Sequence, residues 1–195
     1  MALSNYTELQ AAVAGYINRS DAGAAIVDFI ALAEADMNRR LRCPENETSN
    51  TAFAITSRYT ALPTAFAEMR RVVLTATPRE ELMPLSPSLS GGFFESGRPI
   101  YYAITGNQLE VVPFGSYELE LFYWRDVPAL VSNSTNDVLT KYPDLYLFGS
   151  CAQAGIWLDD PGLTSRFMPM YEQALNFANT KSQRQLGSGL TIRCA

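Results

Sequence analysis

The hydrophobic pattern of this chain changes its period twice, and no other feature narrows the fold as much. Apolar residues recur at helical spacing from Leu9 to Leu41, alternate with period two from about Thr51 to Arg125, and return to helical spacing after Asn136. Side chains repeat every 3.6 residues along a helix face and every 2.0 along a strand face, so one pattern cannot serve for the other. The two helical ends therefore read as halves of one helical body with a β segment inserted between them. The expected class is α+β: a four-helix bundle from residues 1–44 and 136–182, an inserted antiparallel β domain at 45–135, and an extended C-terminal tail at 183–195.

Local signals place the elements. Asn5 with Glu8 three positions later forms a capping box ahead of a stripe of Leu9, Val13, Tyr16 and Ile17. Asp21 is placed to cap a second helix whose stripe is Ile26, Phe29, Ile30, Ala33, Met37 and Leu41, with Asp28, Glu34, Asp36, Arg39 and Arg40 on its other faces. Cys43-Pro44 closes it. In the middle, residues 99–105, 108–114 and 117–125 read as consecutive strands joined by the tight turns Gly106-Asn107 and Gly115-Ser116. Glu118, Glu120 and Phe122 alternate against Leu119, Leu121 and Tyr123. The stretch from Pro84 to Gly97 is an excursion with a single helical turn.

After Asn136, Pro143 suits the first turn of a helix. From Leu145 to Leu158 apolar residues cover nearly the whole circumference, which predicts a helix buried on several sides. Asp160-Pro161 again reads as a cap followed by proline. Leu163, Phe167, Met170, Ala174 and Ala178 supply the last stripe, and Pro169 inside it predicts a kink or a late start. In the tail, Lys181, Arg184 and Arg193 have no acid to balance them. Gly187-Ser188-Gly189 is a joint, and Leu190-Thr191-Ile192-Arg193 alternates like a short strand.

Composition removes several function classes. The sequence contains no histidine, so Ser-His-Asp and Cys-His catalysis and His-ligated zinc are excluded. A net charge of −5 argues against general nucleic-acid binding, which needs clustered cations. Cys43, Cys151 and Cys194 have no metal-ligand spacing, and Cys151 reads as a small buried apolar residue. No signal peptide is expected, and the apolar run of about 14 residues at 145–158 is short of the roughly 20 that span a bilayer. A soluble protein without cofactor or metal is the expectation. Asp159-Asp160 and Glu80-Glu81 are adjacent acids that point apart rather than converge, and read as a helix cap and a solvated turn. The charged fraction is only 18%, and the basic residues are arginine except Lys141 and Lys181. Arginine is the cation favoured at protein interfaces, which leans towards a subunit of an assembly. Arg39, Arg40 and Arg42 then read as pairing within their helix or between subunits. Two other classes stay open: a carbohydrate- or host-surface-binding module built on Tyr101, Tyr102, Phe122, Tyr123 and Trp124, and a carboxylate hydrolase.

A succession of blocks adds a resemblance. Tyr6-x-x-Leu9, Val13-x-x-Tyr16-Ile17-Asn18-Arg19-x-Asp21 and Phe29-Ile30-x-Leu32-Ala33-Glu34-x-x-Met37-Asn38-Arg39-x-Leu41-Arg42 come first. Then follow Tyr59-x-x-Leu62-Pro63-x-x-Phe66-x-Glu68-x-Arg70, Tyr102-x-Ile104-x-Gly106-Asn107-Gln108-Leu109, and Pro143-Asp144-Leu145-Tyr146-Leu147-Phe148-Gly149 with Asp159-Asp160. In order and spacing these resemble the phage head-to-tail adaptor (connector) family, the group of tail tubular protein A of short-tailed phages. The resemblance covers nearly the whole chain before the tail. It implies a non-enzymatic neck protein of the virion: a ring, dodecameric in the family, below the portal protein. The ring would join the portal to a nozzle or tail tube protein and let double-stranded DNA through its lumen without specific binding. Carried onto this chain, the helical bundle would form the ring wall with Arg39, Arg40 and Arg42 at ring contacts. Leu186, Leu190, Ile192 and Arg193 would clasp the portal, and the β domain would face the nozzle.

Overall fold

A computed structural model describes residues 3–19, 22–90 and 96–187, without the side chains of 182–187. The described chain forms helices α1 (Tyr6–Ile17), α2 (Ala25–Arg40), α3 (Pro87–Ser90), α4 (Asp137–Lys141), α5 (Pro143–Trp157) and α6 (Pro161–Gly187). Its strands are β1 (Glu47–Ile55), β2 (Tyr59–Ala61), β3 (Phe66–Leu74), β4 (Glu80–Glu81), β5 (Met83–Pro84), β6 (Tyr101–Thr105), β7 (Gln108–Val112) and β8 (Tyr117–Arg125). Two compact units result. One is helical, Met1–Asn46 with Val127–Ala195, and the other is the β unit Glu47–Asp126.

In the helical unit α5 packs against α6, α2 and α1. Its apolar circumference is largely used as the sequence suggested: Leu145, Tyr146, Leu147, Cys151, Ala152 and Ala154 are buried, Phe148 is half-buried, and Ile156 and Trp157 at its end are exposed. Close approach depends on small residues. A Cβ at Gly149 would meet the Tyr171 ring at 3.0 Å and the Ala33 Cβ at 3.3 Å, and one at Gly155 would lie 2.8 Å from the Thr164 backbone nitrogen. These glycines let α2 and the start of α6 close on α5. The predicted stripes of α1 and α2 are the buried ones, although Tyr16 stays half exposed.

The termini of these helices follow their caps, with four departures from expectation. Asn5 Oδ1 accepts the Glu8 N–H at 2.9 Å, but the Glu8 carboxylate turns to the N–H and hydroxyl of Ser4, both at 2.8 Å, so only half of the capping box is made. The residue at the N-cap of α2 is Ala24, with no side-chain cap; Asp21 lies outside the described residues. Asp160 Oδ1 accepts the N–H groups of Gly162 and Leu163 and starts α6, as read. Pro169 neither delays nor ends that helix, which runs unbroken from Pro161 to Gly187. The tail expected to be extended from 183 is therefore helical backbone through Gly187. Glu34, placed by the sequence reading on a polar face, is buried in the helical core.

In the β unit two four-stranded sheets, ordered β1-β8-β3-β4 and β2-β7-β6-β5, share one core. Pairing is antiparallel except for β5 with β6. β8 lies inside its sheet: Leu119 opposes Phe53 and Leu74, and Leu121 opposes Asn50 and Val72. Its inward residues Leu119, Leu121 and Tyr123 are the ones the alternation predicted. The Gly106-Asn107 turn joins β6 to β7, with Gly106 at φ 59°, a conformation that glycine adopts without a Cβ penalty.

Candidate functional site

The root of the C-terminal tail is the most heavily tied part of the helical surface. Along α6, successive residues reach back to the end of α2 and the turn after it. Arg40 makes a two-pronged pair with Glu172, Nη1 donating to Oε1 at 2.9 Å, and its Nη1 also reaches Asp36 at 3.2 Å. Tyr171 donates its hydroxyl to Asp36 at 2.8 Å. Two turns on, Asn179 Oδ1 accepts the Arg42 N–H at 2.7 Å while its amide donates to the Arg40 carbonyl at 3.0 Å. Asn179 thereby satisfies backbone groups freed where α2 stops, as helix ends require. Lys181 then donates to Glu45 Oε1 at 2.8 Å and to the Tyr142 hydroxyl at 3.2 Å, and the same hydroxyl donates to Glu45 Oε2 at 3.0 Å.

The electrostatics of this triad favour the ion pair. Burial works to raise the Glu45 carboxyl, but the Lys181 ammonium and the Tyr142 hydroxyl overcome it and hold the group below its usual range. The hydrogen bond to Glu45 likewise raises Lys181 above the usual lysine range. An exposed pair is screened by solvent and contributes little by itself. The weight lies in the series, which fixes α6 against α2 up to Lys181, six residues before the last described one. Leu186 lies in the final turn of α6; Leu190, Ile192 and Arg193 lie outside the described residues.

The three arginines of α2 and its end are not equivalent. Arg40 is engaged on α6, and Arg42 donates Nη1 to the carbonyls of Leu41 at 2.9 Å and Asn38 at 3.2 Å. Arg39 has 72% of its side chain exposed and reaches only Asp36, on its own helix, at 3.3 Å. With Leu32 and Ala35 it lies on the exposed face of α2. A groove of about 230 Å³ opens between α5 and α6, lined by Asp144, Phe148, Met170, Gln173, Ala174 and Phe177. Phe177 is 69% exposed there.

Inside the helical unit a polar cluster holds the chain as it returns from the β unit. Glu34 Oε1 accepts the Leu130 N–H at 2.8 Å and the Tyr146 hydroxyl at 3.2 Å. Asn38, one turn further along α2, accepts the Val127 N–H at 2.8 Å. Asn136 donates to the Pro128 carbonyl at 2.8 Å and to Tyr146 at 2.7 Å, and its Oδ1 caps α4 through the Leu139 N–H. Burial raises the Glu34 carboxyl, against the opposing pull of the Leu130 and Tyr146 hydrogen bonds. The sequence signal for Glu34 was its place three residues before Met37 and four after Ile30, on the edge of the apolar stripe. Two thiols, Cys43 and Cys151, are buried, and burial pushes them up to about 11 and about 12, which makes them unreactive.

Of the five aromatic residues named for a platform, Tyr101 and Phe122 are half-buried and the other three are interior. Tyr102 and Tyr123 belong to its core, and Trp124 is buried, with the Arg70 guanidinium 5.4 Å from its ring centre. Phe122 is covered by Arg71 at 4.3 Å. Arg70 also pairs with Glu47, Arg79 with Glu120 and Arg58 with the buried Glu110. Among the described residues no group of Cys, Asp or Glu side chains is arranged to hold a metal ion, and no helix is long and apolar enough to cross a membrane.

A helical body built from both chain ends, a β unit between them and a tail leaving a tied helix are the features of the resemblance noted in the sequence. The family model described as SU10 adaptor protein matches residues 4–193. The chain belongs to the SU10 adaptor protein family. The match runs through both units and into the tail. No curated protein matches the chain. Family membership agrees with the phage head-to-tail adaptor reading of the sequence, and it supports a structural rather than enzymatic role.

Proposed function

We propose that this protein is a head-to-tail adaptor of a phage virion: subunits form a ring below the portal, join it to the tail or nozzle, and leave a lumen for DNA. The family match over residues 4–193 carries this reading. In it the helical unit supplies the ring wall, with Arg39, Arg40 and Arg42 at or beside the subunit contacts. The residues Leu186, Leu190, Ile192 and Arg193 reach the portal, and the β unit faces the tail. The succession of ties from Arg40–Glu172 to Lys181–Glu45 supports the assignment of the tail, since a strap transmits load only if its root is fixed. A net charge of −5 suits a conduit through which a polyanion must slide without sticking.

The test is removal of residues 187–195. The expected result is an unchanged circular dichroism spectrum with loss of co-purification with the cognate portal. Portal binding that survives the truncation would overturn the role given to the tail.

A further inference from the structure

Three surfaces stand out beyond the tied root of the tail: the buried Glu34 cluster, a groove on the β unit beside Phe66, Met69 and Tyr102, and the α5/α6 groove. Only the last has a partner surface on the same molecule with matching chemistry. We propose that the outward face of α2 in one subunit seats in the α5/α6 groove of the next, Leu32 and Ala35 entering it and Arg39 reaching Asp144. This rests on the ring reading above and names its contact.

Four observations support it. Leu32, Ala35 and Arg39 recur at i, i+3 and i+7, so they share one exposed helix face opposite the buried Phe29–Ala33–Met37 stripe. That face carries Leu32 and Ala35 between Asp28, one turn before them, and Arg39, one turn after. The groove is the complement: an apolar floor of Phe148, Met170, Ala174 and Phe177, with one carboxylate, Asp144, at its rim. Asp144 has no ion pair among the described residues. Arg39 has only an exposed bond within its own helix to give up.

Direction decides the kind of contact. On α6 the groove residues Met170 and Phe177 lie on one flank of the buried Tyr171–Leu175–Ala178 face, and Met168 and Glu172 lie on the other. α2 packs on that second flank, through Tyr171–Asp36 and Arg40–Glu172. The outward face of α2 and the groove thus point away from each other. Two unlike patches on opposite sides give head-to-tail contacts, the kind that makes a ring when the rotation between neighbours closes.

The test traps the contact as a disulfide. In the full chain with Cys194→Ser, Ala35→Cys is placed in one preparation and Gln173→Cys in another; Cys43 and Cys151 are buried and do not interfere. Oxidation of the mixture is expected to give a covalent dimer that neither preparation gives alone. Both cysteines in one chain should give a ladder of multiples. Arg39→Glu or Asp144→Lys should each cut the yield about tenfold, and the two reversals together should restore it. Deletion of 188–195 should leave the yield unchanged; loss of product on that deletion would give the groove to the tail and overturn the proposal. Equal yields from the single preparations, or indifference to the charge reversals, would also overturn it. Absence of product while the wild-type chain still forms higher oligomers by native mass spectrometry would remove this contact and leave the ring. Absence of both, with no ring in virion necks, would remove the ring reading itself.

Discussion

The two units solve the same problem, what to do with polar groups in a small core, in opposite ways. In the β unit the backbone pairs with itself across the sheets, so its core can be almost wholly apolar, and Glu110 enters only with Arg58 beside it, Nε donating to Oε1 at 2.8 Å. In the helical unit the segment Val127–Asn136 crosses α2 and α5 without forming a strand. Its N–H and C=O groups must be met by side chains, because an unpaired buried backbone group costs as much as a lost hydrogen bond. Glu34, Asn38 and Asn136 meet them. In the helical unit Glu34 and Asn136 thus mark where the chain lacks backbone partners.

That contrast can be broken experimentally. The largest effect should come from crowding the helices: Gly155→Val places a branched side chain where the Thr164 backbone already stands, and should cost about 3 kcal/mol or more. The measurement is a denaturant titration followed by the helical signal; a loss below a third of that would mean α6 can step back from α5. Next, Glu34→Ala strips the acceptor from the Leu130 N–H and the Tyr146 hydroxyl and should cost about 2 kcal/mol. Hydrogen exchange at Leu130 should rise with it.

Smaller, but sharper, is a pair of opposite pH signatures. Burial raises Glu34, so its contribution to stability is present below the unfolded carboxylate value and is lost as pH rises through the folded one. Glu34→Gln keeps the acceptor without the charge, and should be more stable than the parent at pH 8 by a margin that shrinks on acidification. Burial also works on Glu110, but its bonds to Ser90, Arg58 and Tyr59 win and lower it. Its contribution is present at neutral pH and is lost as pH falls through its folded value. Glu110→Gln should therefore be less stable than the parent at pH 7, with the gap closing in acid. Melting curves from pH 4 to 8 on both variants test the contrast, and the same slope in both would refute it. The smallest effect is expected at Ser150, whose buried hydroxyl has no hydrogen-bond partner in α5. Ser150→Ala should leave thermal stability unchanged or raise it by up to about 1 kcal/mol.

Much of this was legible in the order of residues, for reasons that are local. The stripe of α2, the alternation of β8, the Gly106-Asn107 turn and the Asp160 cap each depend on neighbours within a few positions. Glu34 looked polar because only the return of a distant segment makes a buried carboxylate useful. Pro169 allowed a late start, which is overruled by the Asp160 cap that begins α6 at Pro161. For the candidate site, the sequence marked Arg39, Arg40 and Arg42 together, and the structure separates them by what each one touches.

By itself, then, the sequence determined the order of helical, β and helical segments, the faces that turn inward, and the absence of imidazole chemistry, because periodicity and composition need no partner to be read. The tertiary structure alone decided the order of strands in the two sheets and the burial of Glu34. It also decided the binding of α6 to α2 and the turn after it through Arg40, Asn179 and Lys181, and the opening of a groove at Phe177. These depend on which surfaces meet, and contacts between residues distant in sequence are chosen by shape and charge complementarity that no local pattern encodes.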